Sequence, residues 1–325
     1  MAKREKIIAP KNNYFTSVKE HIQFVSTGCT LIDCALGGGF ALGRVANVVG
    51  DKSTSKTGLA TECLINFCRA YPDGEACYRD AEAAFDVQYA QAMGLPVDKV
   101  DMKPIHTIED LHRDLEKFVQ KKQKDKQPGI YVLDSLDALS DEAELERDIA
   151  KGSFGAEKAK KSSEMFRRLT PEIESSNVLF LVVSQVRENI GAMFGEKYKR
   201  SGGKAMDFYA SQIMWLSYLG KLEKTIDKVK RAYGIEVRAN VKKNKVSMPF
   251  RQCDFEFHFG FGIEDLRSNL NWLEDHNLKP CVAIDDIASF DGDTYRQVAD
   301  AVADQVKSTW LEVENKFLPP RSKYG

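Results

Sequence analysis

Residues 45–71 constrain the architecture more tightly than any other stretch. An apolar run, Val45-Ala46-Asn47-Val48-Val49, leads into the polar turn Gly50-Asp51-Lys52-Ser53-Thr54-Ser55-Lys56-Thr57, and a helix-forming pattern continues to about Tyr71. A strand that passes through such a turn into a helix has the local form of a phosphate-binding loop, G-x-x-x-x-G-K-[ST]. In that pattern successive backbone amides cradle phosphate oxygens, the lysine reaches the outer phosphates and the hydroxyl binds magnesium. Gly50, Lys56 and Thr57 occupy their places, and the second glycine is Ser55. The exchange matters because glycine reaches positive φ and admits close phosphate approach, where a Cβ resists both. The alternative, a polar turn that merely caps a helix, loses ground only if other strand ends supply matching chemistry.

The bulk properties narrow the class. A chain of 325 residues has room for about two domains, and 43% hydrophobic with 29% charged residues is a globular composition. With a net charge of −1, no global basic field draws nucleic acid, so any such binding rests on local patches. The seven cysteines contain no C-x-x-C pair, and the five histidines show no metal-ligand spacing. This argues against a disulfide framework or zinc site and for a reducing compartment. Residues 1–20 lack the apolar stretch of a signal peptide, and the run Val178–Val183 is too short to span a bilayer. A cytoplasmic location without a membrane partner is the expectation.

Residues 1–24, with Lys3, Arg4, Lys6 and Lys11, read as an arm that contacts a neighbour or stays mobile. Strand-like runs then recur at 75–79, 129–133 and 177–183, separated by helical patterns such as 108–121 and 163–175. Alternation of this kind predicts an α/β fold with a mostly parallel central sheet and helices on both faces. After about Ser211 the texture is strand-rich (212–219, 234–245, 252–259), which predicts an antiparallel extension. Helical texture near 295–316 suggests a small C-terminal lobe, giving expected divisions at 1–24, 25–265 and 266–325. The charge run 121–126 reads as a solvated helix end, and the alternation of Phe255, Phe257, Phe259 and Phe261 reads as core.

In open α/β sheets ligands bind beyond the carboxyl ends of the strands, and polar residues gather there repeatedly. The strands end in the phosphate-binding turn, in Asp80-Ala81-Glu82, in Asp134-Ser135 and in Ser184-Gln185. Asp134 fits the carboxylate that holds magnesium beside Thr57; alone it would read as a helix cap. Glu82 fits the residue that orients or deprotonates an attacking water, the plainer reading being a surface carboxylate.

These segments, with Ser26-Thr27-Gly28, Gly37-Gly38-Gly39, Ala83-Ala84-Phe85-Asp86, the run 185–195, the run 202–211, Lys243-Asn244-Lys245 and Pro249-Phe250, resemble the bacterial RecA recombinases in order and spacing over residues 25–265. The resemblance implies a RecA-like ATPase core and an ATP-dependent strand-exchange protein of DNA recombination and repair. It implies polymerisation on single-stranded DNA as a helical filament, pairing with double-stranded DNA, and use of ATP and Mg²⁺ between protomers. Single-strand-binding or mediator proteins are the accessory partners it suggests. It assigns Asp86 and Tyr89 to the adenine and Gln185 to γ-phosphate sensing at the root of a DNA loop. Ser55, Asp207 where the bacterial proteins carry lysine, a short N-terminal arm and a tail without an acidic run point to a phage-encoded or divergent member, in the former case at work in host cytoplasm.

Between Val186 and Lys204 the chain combines Gly191, Gly195, Gly202 and Gly203 with Arg187, Lys197, Lys199, Arg200 and Lys204, plus Ile190, Met193, Phe194 and Tyr198. A basic, glycine-rich loop with apolar tips suits a nucleic-acid backbone, with apolar side chains wedged between bases. The resemblance makes Ile190 that wedge and the stretch 149–155, including Phe154, a first DNA loop. Lys158, Lys160 and Lys161 either reach phosphates or line a solvated helix face. Ile235, Val237, Ala239 and Val241 share one strand face, and continuing that parity places Lys243 and Lys245 on it too. Either the strand has left the core there, or the lysines meet an anion or another subunit. The resemblance implies that both reach the ATP of the adjacent protomer. The leading reading is a DNA-dependent ATPase and recombinase; a non-catalytic filament or mediator protein and a ring-shaped helicase are its rivals.

Overall fold

The computed structural model describes residues 22–146, 155–188, 198–200, 204–281 and 292–320. Among them the strands are β1 (Phe24–Val25), β2 (Phe40–Ala41), β3 (Val45–Gly50), β4 (Glu75–Asp80), β5 (Val100–Pro104), β6 (Gly129–Asp134), β7 (Val178–Glu188) and β8 (Tyr198–Arg200), followed by β9 (Gln212–Ile226), β10 (Val229–Asn244), β11 (Gln252–His258) and β12 (Gly262–Ile263). The helices that matter here are α1 (Thr30–Leu36), α2 (Lys56–Ala70), α3 (Val87–Ala92), α4 (Ile108–Asp125), α5 (Gly155–Ser175), α6 (Lys204–Tyr209), α7 (Asp265–Asp275) and α8 (Gly292–Phe317).

One sheet runs β12-β11-β10-β9-β3-β7-β6-β4-β5, with β8 paired to β7. The pairs from β9 to β5 are parallel, and those from β9 to β12 are antiparallel. This is the α/β architecture that the alternation of segments predicts. The parallel strands read as unbroken apolar runs because helices cover both faces. Along β7, Leu179, Leu181 and Val183 join one buried cluster while Val178, Phe180 and Val182 join the other.

Helix α4 shows how sequence makes an element. Thr107 caps it by accepting from the Asp110 amide at 3.0 Å, and Ile108, Leu111, Leu115, Phe118 and Val119 recur on its buried stripe. Its end departs from expectation. Lys122 is 3% exposed and paired with Glu75 at 2.9 Å and Asp125 at 2.7 Å, so the basic run is anchored to β4 and not merely solvated.

Two further expectations are corrected. Phe255 and Phe257 are core at 1% and 3% exposure, but Phe259 and Phe261 are 52% and 54% exposed, because β11 ends at His258 and the chain turns through Gly260 and Gly262 at positive φ. In β10 the parity of the apolar face breaks before the lysines. Val241 pairs with Met214, but a register shift then pairs Lys243 with Ile213, whose side chain belongs to the opposite cluster. The bulge turns Lys243 away from the face of Val241.

The tail packs on the antiparallel half of the sheet. Leu266, Leu270, Leu273, Val302 and Val306 belong to the same buried cluster as Val237 and Phe255. Arg251 of the loop before β11 pairs with Glu314 of α8 through Nε at 2.6 Å. Near the other end, Asp33 accepts from Ser26 and from the amide and hydroxyl of Thr27, which ties the Ser26-Thr27-Gly28 segment to α1. All seven cysteines are free: Cys29, Cys63, Cys68, Cys77 and Cys253 are buried, Cys34 is half-buried and Cys281 is exposed. Among the described residues no helix is long and apolar enough to cross a membrane.

Candidate nucleotide site

The carboxyl ends of β3, β4, β6 and β7 lie side by side, with Gly50 opposite Gln185 and Asp80 opposite Asp134 in the strand registers. Gly50 closes β3 where space is short: a Cβ there would lie 2.5 Å from Thr54 Oγ1 and 3.1 Å from the Leu216 carbonyl oxygen. The turn is braced internally, with Thr54 Oγ1 donating to the Asp51 carbonyl at 2.9 Å and Lys56 Nζ donating to the same oxygen at 2.7 Å. The Lys52 amide donates to the Asp51 carboxylate at 2.7 Å. Ser53 and Ser55 both adopt positive φ, 59° and 56°. The glycine-specific conformation of this loop type is therefore kept at Ser55 by a residue that carries a Cβ.

Thr57, in the first turn of α2, donates to Asp134 Oδ2 at 2.6 Å, and the buried Tyr78 hydroxyl donates to the same oxygen at 2.9 Å. Tyr78 is a member of this site that no sequence motif announces. Burial pushes Asp134 above the usual carboxylate range, against the hydrogen bonds from Thr57 and Tyr78. Burial also pulls the Lys56 ammonium below its ordinary value, opposed by Asp134, Glu82, Asp51 and Asp137. A partly desolvated ammonium at the start of a helix favours an anionic ligand. The hydroxyl and carboxylate of Thr57 and Asp134 form a hard-oxygen pair of the kind magnesium takes from a protein when phosphates complete its shell.

Glu82 is exposed and held by the turn that carries it. Asp80 accepts from the amides of Glu82, Ala84 and Phe85 at 3.0, 3.0 and 3.1 Å. Glu82 Oε1 accepts from Ser135 Oγ and from Gln185 Nε2, the latter at 2.8 Å. The carboxylate after β4 thus meets the amide at the end of β7. Asp86 caps α3 by accepting from the Tyr89 amide at 3.0 Å, and the Tyr89 hydroxyl accepts from the Gly260 amide at 3.1 Å. Both residues line a cavity of about 450 Å³ together with the turn Ser53–Gly58, Phe257 and Phe259.

The remaining sequence candidates fall elsewhere. Lys243 Nζ donates to the carbonyl oxygens of Asp207 and Phe208 at 2.5 and 3.2 Å. Lys245 is exposed beyond β10, and neither lysine lines the cavity. Arg187 pairs with Lys199, and Val186 with Arg200, in the antiparallel ladder that joins β7 to β8; Lys204 opens α6. Phe154, Ile190, Met193, Phe194, Lys197, Gly202 and Gly203 lie outside the described residues. Lys158 donates to the Asp137 carbonyl at 3.2 Å, and Lys161 pairs with Glu109 at 2.6 Å.

Comparison with known proteins identifies the family. The family model for the RecA N-terminal domain matches residues 13–264. A protein named Protein RecA from Laribacter hongkongensis (strain HLHK9) is 36% identical over 250 residues, covering 76% of this chain and 67% of that protein. A second Protein RecA, from Francisella tularensis subsp. novicida (strain U112), is 35% identical over 260 residues, covering 78% and 69%. By these matches the chain belongs to the RecA family.

Proposed function

We propose that this protein is a DNA-dependent ATPase and recombinase that polymerises on single-stranded DNA, pairs it with homologous double-stranded DNA and exchanges strands. The observation that carries the reading is the contact between Glu82 and Gln185, at 2.8 Å. It joins the carboxylate beside the phosphate-binding turn to the strand that continues into the β7–β8 hairpin. On this reading nucleotide state and DNA grip share one element.

In the proposed reaction the amides of Gly50–Thr57 hold the phosphates and Lys56 neutralises the outer ones. Thr57 and Asp134 would hold Mg²⁺, which supplies charge neutralisation at the β and γ oxygens. Glu82 orients a water and accepts its proton as the oxygen attacks the γ phosphorus. The bond to the bridging oxygen breaks, releasing ADP and phosphate. Gln185 reports the γ phosphate to the DNA hairpin. Asp86 and Tyr89 flank the base in the cavity beside the turn. Lys243 and Lys245 act on a neighbour's nucleotide by stabilising charge on the transferring group. Arg187, Lys197, Lys199, Arg200 and Lys204 take DNA phosphates, while Ile190, Met193 and Phe194 enter the stack, with Phe154 in a first loop. The arm 1–24 serves as a protomer contact and 266–325 as a small C-terminal domain, in a cytoplasmic protein.

The test is ATP hydrolysis with and without single-stranded DNA, with Lys56→Ala as control. Hydrolysis that rises with DNA and disappears in the control supports the reading. Intact DNA binding without turnover replaces it with the second reading, a non-catalytic filament or mediator protein, which the strained Ser55 favours.

A further inference from the structure

Strand β6 ends at Asp134, and its last registered pair with β7 is Leu133 with Val182. Strand β7 continues to Glu188, where it pairs with β8. On its other side β7 remains registered to β3 as far as Gln185 opposite Gly50. Past Val182, therefore, β7 has lost its strand partner on the β6 side just where it becomes the stem of the hairpin.

A side chain fills that place. Asp137 lies in the single 3-10 turn Leu136–Ala138 that follows β6, and its Oδ2 accepts from the Gln185 backbone amide at 2.5 Å. A carboxylate–amide bond of this kind is charge-assisted and stronger than the ladder bond it replaces. The turn is itself anchored, since Lys158 of α5 donates to the Asp137 carbonyl at 3.2 Å. Among the described residues Asp137 Oδ1 is buried without a hydrogen-bond partner.

We propose that Asp137 is a positioning residue for Gln185, fixing β7 at the point where contact with Glu82 passes into the DNA hairpin, so that DNA binding and nucleotide turnover are coupled through it. The inference rests on the recombinase reading, but the bond itself is readable without ATP or DNA.

Hydrogen exchange of the full-length protein, followed on peptides spanning Gln185, is expected to be faster in Asp137→Ala than in wild type, and near wild type in Asp137→Asn, whose side-chain oxygen still accepts. In the same variants the DNA concentration that half-maximally stimulates ATP hydrolysis is expected to rise about tenfold for alanine, the loss of one charge-assisted bond. For asparagine it should stay within about threefold, with affinity for a fluorescent ATP analogue unchanged in both. Unaltered exchange in Asp137→Ala overturns the proposal. So does asparagine failing as badly as alanine, or nucleotide affinity falling in step with the DNA response, which marks a purely structural residue. If wild-type hydrolysis ignores DNA, the recombinase reading fails and the coupling fails with it, while the exchange data still judge the hydrogen bond separately.

Discussion

Replacing Ser55 by glycine is expected to stabilise this protein, the reverse of the usual effect of glycine near the start of a helix. Ser55 sits at φ 56° and ψ 33°, immediately before α2, and its side chain makes no capping hydrogen bond. An L-residue held in the left-handed region costs about 1–2 kcal/mol relative to glycine. Glycine in turn gives back about 0.4–1 kcal/mol through the greater freedom of the unfolded chain. The difference leaves Ser55→Gly more stable by about 0.8 kcal/mol at mid-range and about 1.6 kcal/mol at most, with no side-chain capping hydrogen bond to lose. Ser55→Ala keeps the strain and is expected to fall within about 0.5 kcal/mol of wild type. Urea unfolding reads both, provided the slope with denaturant stays constant across the three proteins. A glycine variant less stable than wild type, or an alanine variant at least as stable as glycine, would refute the strain argument.

Three other outcomes follow from named contacts. Burial raises Glu62 from 4.5 to about 7, so its folded form binds the proton more tightly than the unfolded chain does. Its stabilising contribution, at most about 3 kcal/mol, is present below about pH 4.5 and lost as pH rises through about 7; Glu62→Gln should flatten the stability profile across that window. Arg79, with a side chain 4% exposed, pairs with Asp101 at 2.8 Å and Asp114 at 2.6 Å. Arg79→Met should destabilise by about 2–3 kcal/mol in the same urea assay, less than a fully buried pair because both aspartates are partly solvated. Glu82→Gln is expected to retain ATP binding and lose DNA-stimulated hydrolysis, and full turnover in that variant would remove Glu82 from its proposed role.

Much of the fold was legible because its causes are local. The strand-turn-helix at Val45–Tyr71, the apolar runs of β6 and β7 and the stripe of α4 each carry their own period or punctuation. Asp134 and Glu82 were legible because a strand's carboxyl end is a fixed place relative to its neighbours. What escaped depends on pairing between segments distant in sequence. The register shift that turns Lys243 over is a relation between β10 and β9, and nothing in Val241-Lys242-Lys243 encodes it. Tyr78 reaches Asp134 across the β4–β6 ladder, although its apolar strand context reads as core alone. Asp137 follows its strand by three residues in a 3-10 turn that no sequence motif marks, and the overhang of β7 gives its side chain a partner. Phe259 and Phe261 kept the strand's alternation after the strand had ended.

The burial of the cysteines has a practical consequence for following the protein in solution. A thiol reacts with maleimides as the thiolate. Burial drives Cys29, Cys63 and Cys253 well above the ordinary thiol range, raises Cys68, and pushes Cys34 and Cys77 up to about 12. Cys281, by contrast, is exposed just past α7. The native chain therefore offers its own single attachment point for a fluorophore, beside the segment that leads to α8, and the proposed assembly can be tested by energy transfer between copies without engineering a single residue.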